Sequence, residues 1–215
     1  MVRAILDGRK TQTRRVVKPQ PQVEGRIFRW AGPRPKAKVS TGAVFINDPS
    51  MEHENPIISA FCPFGKPGDR LWVRETWAAV HFSIDPETGF ADDWHGSHDI
   101  PPGDGGGYWS KLYAADSHPT DKEDRGFAWR PSIHMPRWAS RITLEVTGVR
   151  VERLQEISES DAQAEGIDLG GFRSGFDGIA GREHTIEFHS LWESINGPGS
   201  WDANPWVWVV EFRRL

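Results

Sequence analysis

Short apolar runs separated by Gly- and Pro-rich stretches set the pattern of this chain. Val2, Ile5 and Leu6 sit at helical spacing ahead of Gly8, which predicts a short helix with no capping residue before it. Gly8 to Arg15 then reads as a helix end entering a loop, because β-branched Thr11 and Thr13 lose rotamer freedom inside a helix. Residues 18–38, rich in Pro, Gly and Gln, predict an irregular excursion, and Val44-Phe45-Ile46 a short strand. Pro67-Gly68-Asp69 has the residues of a type II turn. Arg70 to Trp77 follows as one strand, with Leu71 and Val73 on one face and Trp72, Arg74 and Thr76 on the other. Asp85 to Gly107, with successive glycines at 105–107, predicts an inserted loop and no core element.

In the second half, Ile142 to Val146 alternates as a strand does, and Val149 and Val151 continue towards a second strand or a bend. Ser158 and Asp161 have capping-box spacing at the start of a helix that Gly166 ends, and Gly170 to Gly181 is another loop. Phe188, Leu191, Trp192 and Ile195 form an amphipathic stripe over Glu187–Ile195, closed by Asn196-Gly197-Pro198. Trp206 to Phe212 is apolar on both faces and predicts a central strand. Few helices and several short strands point to an α+β fold or a small, partly open barrel. One domain over residues 1–215 is expected, with insertions at about 18–60, 78–140 and 167–187.

Composition sharpens this. A chain of 215 residues buries roughly 70% of its unfolded surface, enough for one sizeable core without disulfides. Eleven Trp and eleven Phe make that core aromatic, with Trp72, Trp77, Trp129 and Trp138 as core residues of which one or two stack a base. The single Cys62 forms no internal disulfide or zinc site, and neither a membrane span nor a secretory signal is legible, so a cytoplasmic location is expected. Asp92 to Asp99 has metal-capable groups, but a Gly-rich loop does not preorganise ligands, so no metal and no cofactor is expected. His134 reads as a packed or rim residue.

The net charge of −4 hides a segregation. Residues 1–40 hold eleven Lys and Arg against Asp7 and Glu24, a net of +9, which leaves the rest of the chain at −13. A basic segment interleaved with Phe28 and Trp30 has the composition of a single-strand nucleic-acid surface. A solvated basic flank balanced by the acidic remainder accounts for it equally well.

Four ordered blocks carry a resemblance. Gly8, Lys10, Thr11, Thr13 and Arg15 stand in a G-x-K-T-x-T-x-R signature, and Gly68-Asp69 opens a strand with Leu71 and Val73. Thr143-Leu144-Glu145-Val146-Thr147 leads to a helix ending Ala162-Gln163-Ala164-Glu165, and Val209-Val210-Glu211-Phe212 closes the chain. Covering about half the sequence, these blocks resemble the ASCH family, a branch of the PUA-like β-barrels, and above all its longer, tryptophan-rich phage and prophage members. There, segments like Gly68–Trp77 and Asn204–Trp208 recur. The resemblance implies a partly open PUA-like barrel with a few flanking helices and long loop insertions, acting in the host cytoplasm if phage-encoded.

ASCH-like proteins include amidohydrolases acting on acetylated cytidine and others proposed to bind or cut RNA. What the resemblance implies here is RNA or a modified nucleoside as partner and Lys10, Thr13 and Glu165 as the catalytic set, with Lys10 as base and Glu165 as acid. Gly8, Arg9, Thr11, Arg14, Arg15, Arg74 and Glu75 would bind substrate or nucleic acid. A lysine acts as a base only when burial or nearby cations lower its pKa, and Arg9, Arg14 and Arg15 supply cations. On one helical turn Lys10 and Thr13 would share a face. Arg15 is open to pairing with Glu75 or Glu165, or to a phosphate. Two other readings stand beside the hydrolase: a non-catalytic reader of RNA or modified nucleic acid, and a phage interaction module whose insertion binds a host protein. The chain departs from the family in starting directly on the first helix, where members have a preceding strand, so an unpaired edge is expected beside the last strand. It departs again in the insertion between Trp77 and Arg141.

Overall fold

The computed structural model describes residues 1–24, 27–30, 43–46, 62–84, 91–96, 109–116, 127–169 and 181–215. They gather into two compact units, Arg3–Leu71 with Leu144–Leu215, and Trp72–Thr143. The element order is α1 (Val2–Leu6), β1 (Gln12–Val16), β2 (Gln22–Glu24), β3 (Ile27–Trp30), β4 (Ala43–Ile46), β5 (Arg70–Trp72), β6 (Trp77–Ile84), β7 (Ala91–Gly96), β8 (Trp109–Tyr113), β9 (Thr143–Arg153), α2 (Glu159–Ala164), α3 (Glu183–Asn196) and β10 (Trp206–Arg214). Antiparallel sheets with a few helices make this an α+β protein. Among the described residues, no helix is long and apolar enough to cross a membrane.

The first unit is organised by β10. Val207, Trp208, Val209 and Val210 are all buried, so this strand needs cover on both faces and neighbours on both edges. Its sheet runs β1-β10-β9-β5 and curls into a half-barrel. Trp208 and Val210 pack on one side with Val17, Val146 and Val149. Val207 and Val209 pack on the other with Leu154, Ala162, Phe188 and Trp192, residues that include one from α2 and two from α3. Beside the last strand, where an unpaired edge was expected, β1 pairs antiparallel from Gln12↔Glu211 to Val16↔Val207.

Several expectations are corrected by long-range pairing. The run ending at Arg15 is not a helix end: after Gly8 the chain extends into β1, because hydrogen bonding to β10 outweighs local preference. Residues 18–38 are not wholly irregular, since β2 and β3 pair antiparallel and β3 continues to β4. The Ile142–Val151 region is one strand, β9, bent where Glu211 faces Gly148 but Phe212 faces Val146, so that Thr147 is the extra residue of a bulge. α3 starts at Glu183, ahead of Glu187, because the Glu159 carboxylate of α2 receives the backbone N–H groups of His184 and Thr185 at 2.7 and 3.0 Å. Its apolar stripe is only half covered: Phe188 and Trp192 are buried, whereas Leu191 and Ile195 are 38% and 60% exposed. Other local signals hold. Ser158 Oγ accepts the Asp161 N–H at 3.1 Å to cap α2. Lys66 to Asp69 forms a turn closed at 2.9 Å, with Gly68 at φ +90°, where an L side chain is strained.

The second unit holds the three-stranded sheet β7-β6-β8. Arg70 to Trp77 is not one strand but two, β5 and the start of β6, broken at Val73–Thr76 where Glu75 turns inward. Glu75 is 2% exposed, and both its carboxylate oxygens accept from Arg141 at 3.0 Å. The span 85–107 contributes a sheet strand after all, β7, paired with β6, while the rest of that span, on which the interaction-module expectation falls, lies outside the described residues. Trp77 and Trp138 pack edge to face at 5.6 Å with Met135 and Ala139. His134 is exposed, not packed.

Candidate active site

The signature residues are placed by the joint between α1 and β1. Lys10 N–H donates to Ala4 O at 2.9 Å and Thr11 N–H to Ala164 O at 2.8 Å, which ties the joint to the end of α2. From there the chain alternates as a strand: Lys10, Gln12 and Arg14 are buried, Thr11 and Arg15 exposed, Thr13 half-buried. Lys10 and Thr13 therefore do not share a helical face. They point to opposite sides of the edge strand, and both line one pocket at its rim.

Glu165, the residue that ends α2, is the counterpart of Lys10. Lys10 Nζ donates to Glu165 Oε2 at 2.8 Å and to the Glu165 carbonyl at 2.7 Å, and both side chains are 5% exposed. Gly166 follows at φ +80°, and a Cβ there would meet Lys10 Cβ at 2.7 Å, so only glycine lets α2 end this close to the lysine. Arg14, fully buried, donates to Glu165 Oε1 at 3.3 Å, to Glu152 at 2.5 Å and to Asp161 at 3.2 Å. Arg150 pairs in turn with Glu152, Asp161 and Glu211. Three cations and four carboxylates thus form one chain of ion pairs, innermost at Lys10 and Glu165.

The electrostatics follow from this burial. Desolvation lowers the Lys10 pKa from the ordinary 10.5; Glu165 opposes the shift, and Arg15 and Arg14 add to it. At Asp161 burial pushes upward, but Arg150 and Arg14 prevail and hold the carboxyl below its usual range.

The pocket at this pair is small, about 70 Å³, with Lys10, Glu165, Thr13 and Arg15 on its polar side and Phe188, Leu191 and Trp192 on its apolar side. Two neutral donors are unpaired there among the described residues. Thr13 Oγ has no hydrogen-bond partner. Trp192 Nε1 is buried without one. A wider groove of about 590 Å³ shares Thr13 and Arg15 with the pocket and is otherwise lined by residues including Phe64, Asp69, Arg70 and Leu71.

The structure brings Lys10 and Glu165 into contact and sets Thr13 at the same pocket. Gly8 ends α1 at φ +74°, and the Arg9 side chain pairs at the surface with Asp7 at 3.1 Å and Asp168 at 3.7 Å. Thr11 acts through its backbone, its carbonyl accepting the Phe212 N–H at 2.8 Å. Arg74 and Glu75 belong to the second unit, where Arg74 donates to Ile133 O at 3.0 Å and lies 4.8 Å from the Trp72 ring. The expected partners of Arg15 are taken by others: Glu75 binds Arg141, and Glu165 binds Lys10 and Arg14. Sequence reasoning missed Glu152, Asp161 and Arg150. The signal was there in part, since Arg150 and Glu152 fall on one strand face, and Asp161 and Glu165 at i, i+4 on one helix face.

Among the described residues no group of His, Cys, Asp and Glu is placed to hold a metal ion. Burial pushes the Cys62 thiol up to about 11, so it is not a nucleophile at neutral pH. Compared with protein-family models, with curated proteins and with solved structures, the chain matches none.

Proposed function

We propose that Lys10, Glu165 and Thr13 form an acid–base site that hydrolyses an amide on a nucleobase, of the acylated-cytidine kind, in a PUA-like barrel of ASCH type. The observation that carries this is the Lys10 Nζ, sealed from solvent against Glu165 in a pocket that also presents the unpaired Thr13 hydroxyl. The family expectation named these same three residues.

The chemistry uses each group once. Burial lowers the Lys10 pKa, so its amine gives up a proton more readily than an exposed lysine does, and once deprotonated it removes a proton from a water molecule oriented by Thr13 Oγ. The water oxygen adds to the acyl carbon, the carbon–nitrogen bond breaks, and the proton held between Lys10 and Glu165 passes to the departing nitrogen. The products are a carboxylic acid and the free amino base. Glu165, through its side-chain oxygen and its carbonyl, fixes the lysine nitrogen in place. Phe188, Leu191 and Trp192 form an apolar wall suited to the acyl group.

Chromatographic release of cytidine from N4-acetylcytidine tests the proposal. Lys10→Met and Thr13→Val are expected to lower turnover by about 10²- to 10⁴-fold, the usual weight of a positioned acid or base. Undiminished turnover in a folded Lys10→Met protein, or none in the wild type, sinks it. Absence of turnover with retained nucleic-acid affinity would favour the reader, whose support is that Arg15 and Arg70 line the neighbouring groove, exposed and without a partner among the described residues.

A further inference from the structure

The two hollows differ in size by a factor that constrains the substrate. About 70 Å³ beside Lys10 has room for the scissile amide and a small acyl group, but not for a whole nucleoside. The adjoining groove, about 590 Å³, lies within the range of roughly 300–1,000 Å³ typical of small-molecule sites. Because Thr13 and Arg15 line both, a ligand reacting at Lys10 extends past the edge of β1 into the groove.

The groove is built for an anion. Most arginines of this unit are committed: Arg14 and Arg150 to carboxylates, Arg213 to Glu145, Arg214 to the Leu6 carbonyl. Arg15 and Arg70 differ. Both are exposed, both line the groove, and neither side chain has an ion pair, hydrogen bond or ring contact among the described residues. One carboxylate, Asp69, also faces the groove, its Oδ2 accepting the Lys66 N–H at 3.0 Å, and the two guanidiniums outnumber it by one positive charge. Phe64, 37% exposed, and Leu71 add apolar surface on which a ring or sugar packs. Two guanidiniums beside an exposed aromatic ring suit a phosphate attached to a nucleoside.

We infer that Arg15, Arg70 and Phe64 form a phosphate-bearing subsite of the Lys10 site, so that its substrate is a nucleotide, free or within a strand, in preference to the bare nucleoside. The inference rests on the acid–base reading only for which atom reacts. Binding tests it separately. Calorimetric affinities are compared for N4-acetylcytidine, its 5′-monophosphate and a short oligoribonucleotide containing it, at low and at raised salt, with turnover followed on the same three compounds. A phosphate-bearing ligand is expected to bind about tenfold or more tightly than the nucleoside, with the advantage falling as salt rises. Arg15→Gln and Arg70→Gln are expected to reduce that ratio towards one, at unchanged melting temperature since both side chains are unpaired. A preference already complete with the monophosphate assigns a free nucleotide; a further gain with the oligonucleotide assigns a strand. Equal affinity for all three ligands, or a phosphate advantage that survives both substitutions, overturns the inference. Tight Arg-dependent nucleotide binding without turnover would overturn the acid–base reading and leave the subsite; turnover of the nucleoside with no phosphate advantage would do the reverse.

Discussion

Replacing both members of the Lys10–Glu165 pair should cost less than the sum of the two single replacements. Both side chains are 5% exposed, and removing one partner of a buried ion pair costs about 3–5 kcal/mol because the other charge stays buried alone. The surroundings rank the two cases. In Lys10→Met, Glu165 keeps Arg14 at 3.3 Å, which places the cost near the lower end, about 3 kcal/mol. In Glu165→Gln, Lys10 loses the only carboxylate it pairs with among the described residues and retains one carbonyl at 2.7 Å, so about 4 kcal/mol is expected. The double variant Lys10→Met/Glu165→Gln leaves no orphan charge at this position, and a coupling of about 2–3 kcal/mol follows. Urea unfolding followed by tryptophan fluorescence measures all three, provided the m-value stays constant. Singles that each cost under about 1 kcal/mol, or a double variant additive to within about 0.5 kcal/mol, would refute a buried and coupled pair. The pH dependence has a defined sign. Burial lowers the Lys10 pKa, so the unfolded chain binds this proton more tightly than the folded one. Wild-type stability therefore gains a rising contribution from the lowered value up towards 10.5, and Lys10→Met should lack it.

Two further outcomes follow from single side chains. Burial raises the Glu159 pKa, but hydrogen bonds from His184 and Thr185 prevail and hold it at about 2, against 4.5 ordinarily. Its contribution to stability is thus full above pH 4.5 and is lost as pH falls through about 2, so acid unfolding of Glu159→Gln should lack the wild-type slope in that window, and an unchanged acid limb would contradict the helix-cap role. Trp192→Phe keeps a ring between α3 and the sheet while removing a buried N–H without a partner, so the melting temperature should hold or rise while turnover falls if substrate accepts from that donor; a marked loss of stability with unchanged turnover would show the indole N–H to be satisfied.

Much of the fold is legible in the chain because one element's burial is written in its own spacing. Trp206 to Phe212, apolar at every position but Glu211, specifies a strand covered on both faces, and β10 is that strand. Ser158 ahead of Asp161 specifies the start of α2, and Pro67-Gly68 a turn, since in each case the hydrogen bond closes within four residues. Lys10 and Glu165 were named together only through the family likeness, as nothing local relates two residues 155 positions apart.

What tertiary structure alone decided is which partners meet. Gly8 to Arg15 has poor local credentials as a strand, yet four register partners on β10 and the wall of α2 extend it, and that extension turns Lys10 and Arg14 inward and Thr13 and Arg15 outward. The same basic run thereby supplies two cations to a buried network and one to an open groove, a division that composition cannot express. The start of α3 depends likewise on a carboxylate of α2, and the break after Trp72 on Arg141 receiving Glu75. Periodicity records how one segment meets the core; the pairing of charges depends on distances between segments, which exist only once the chain has folded.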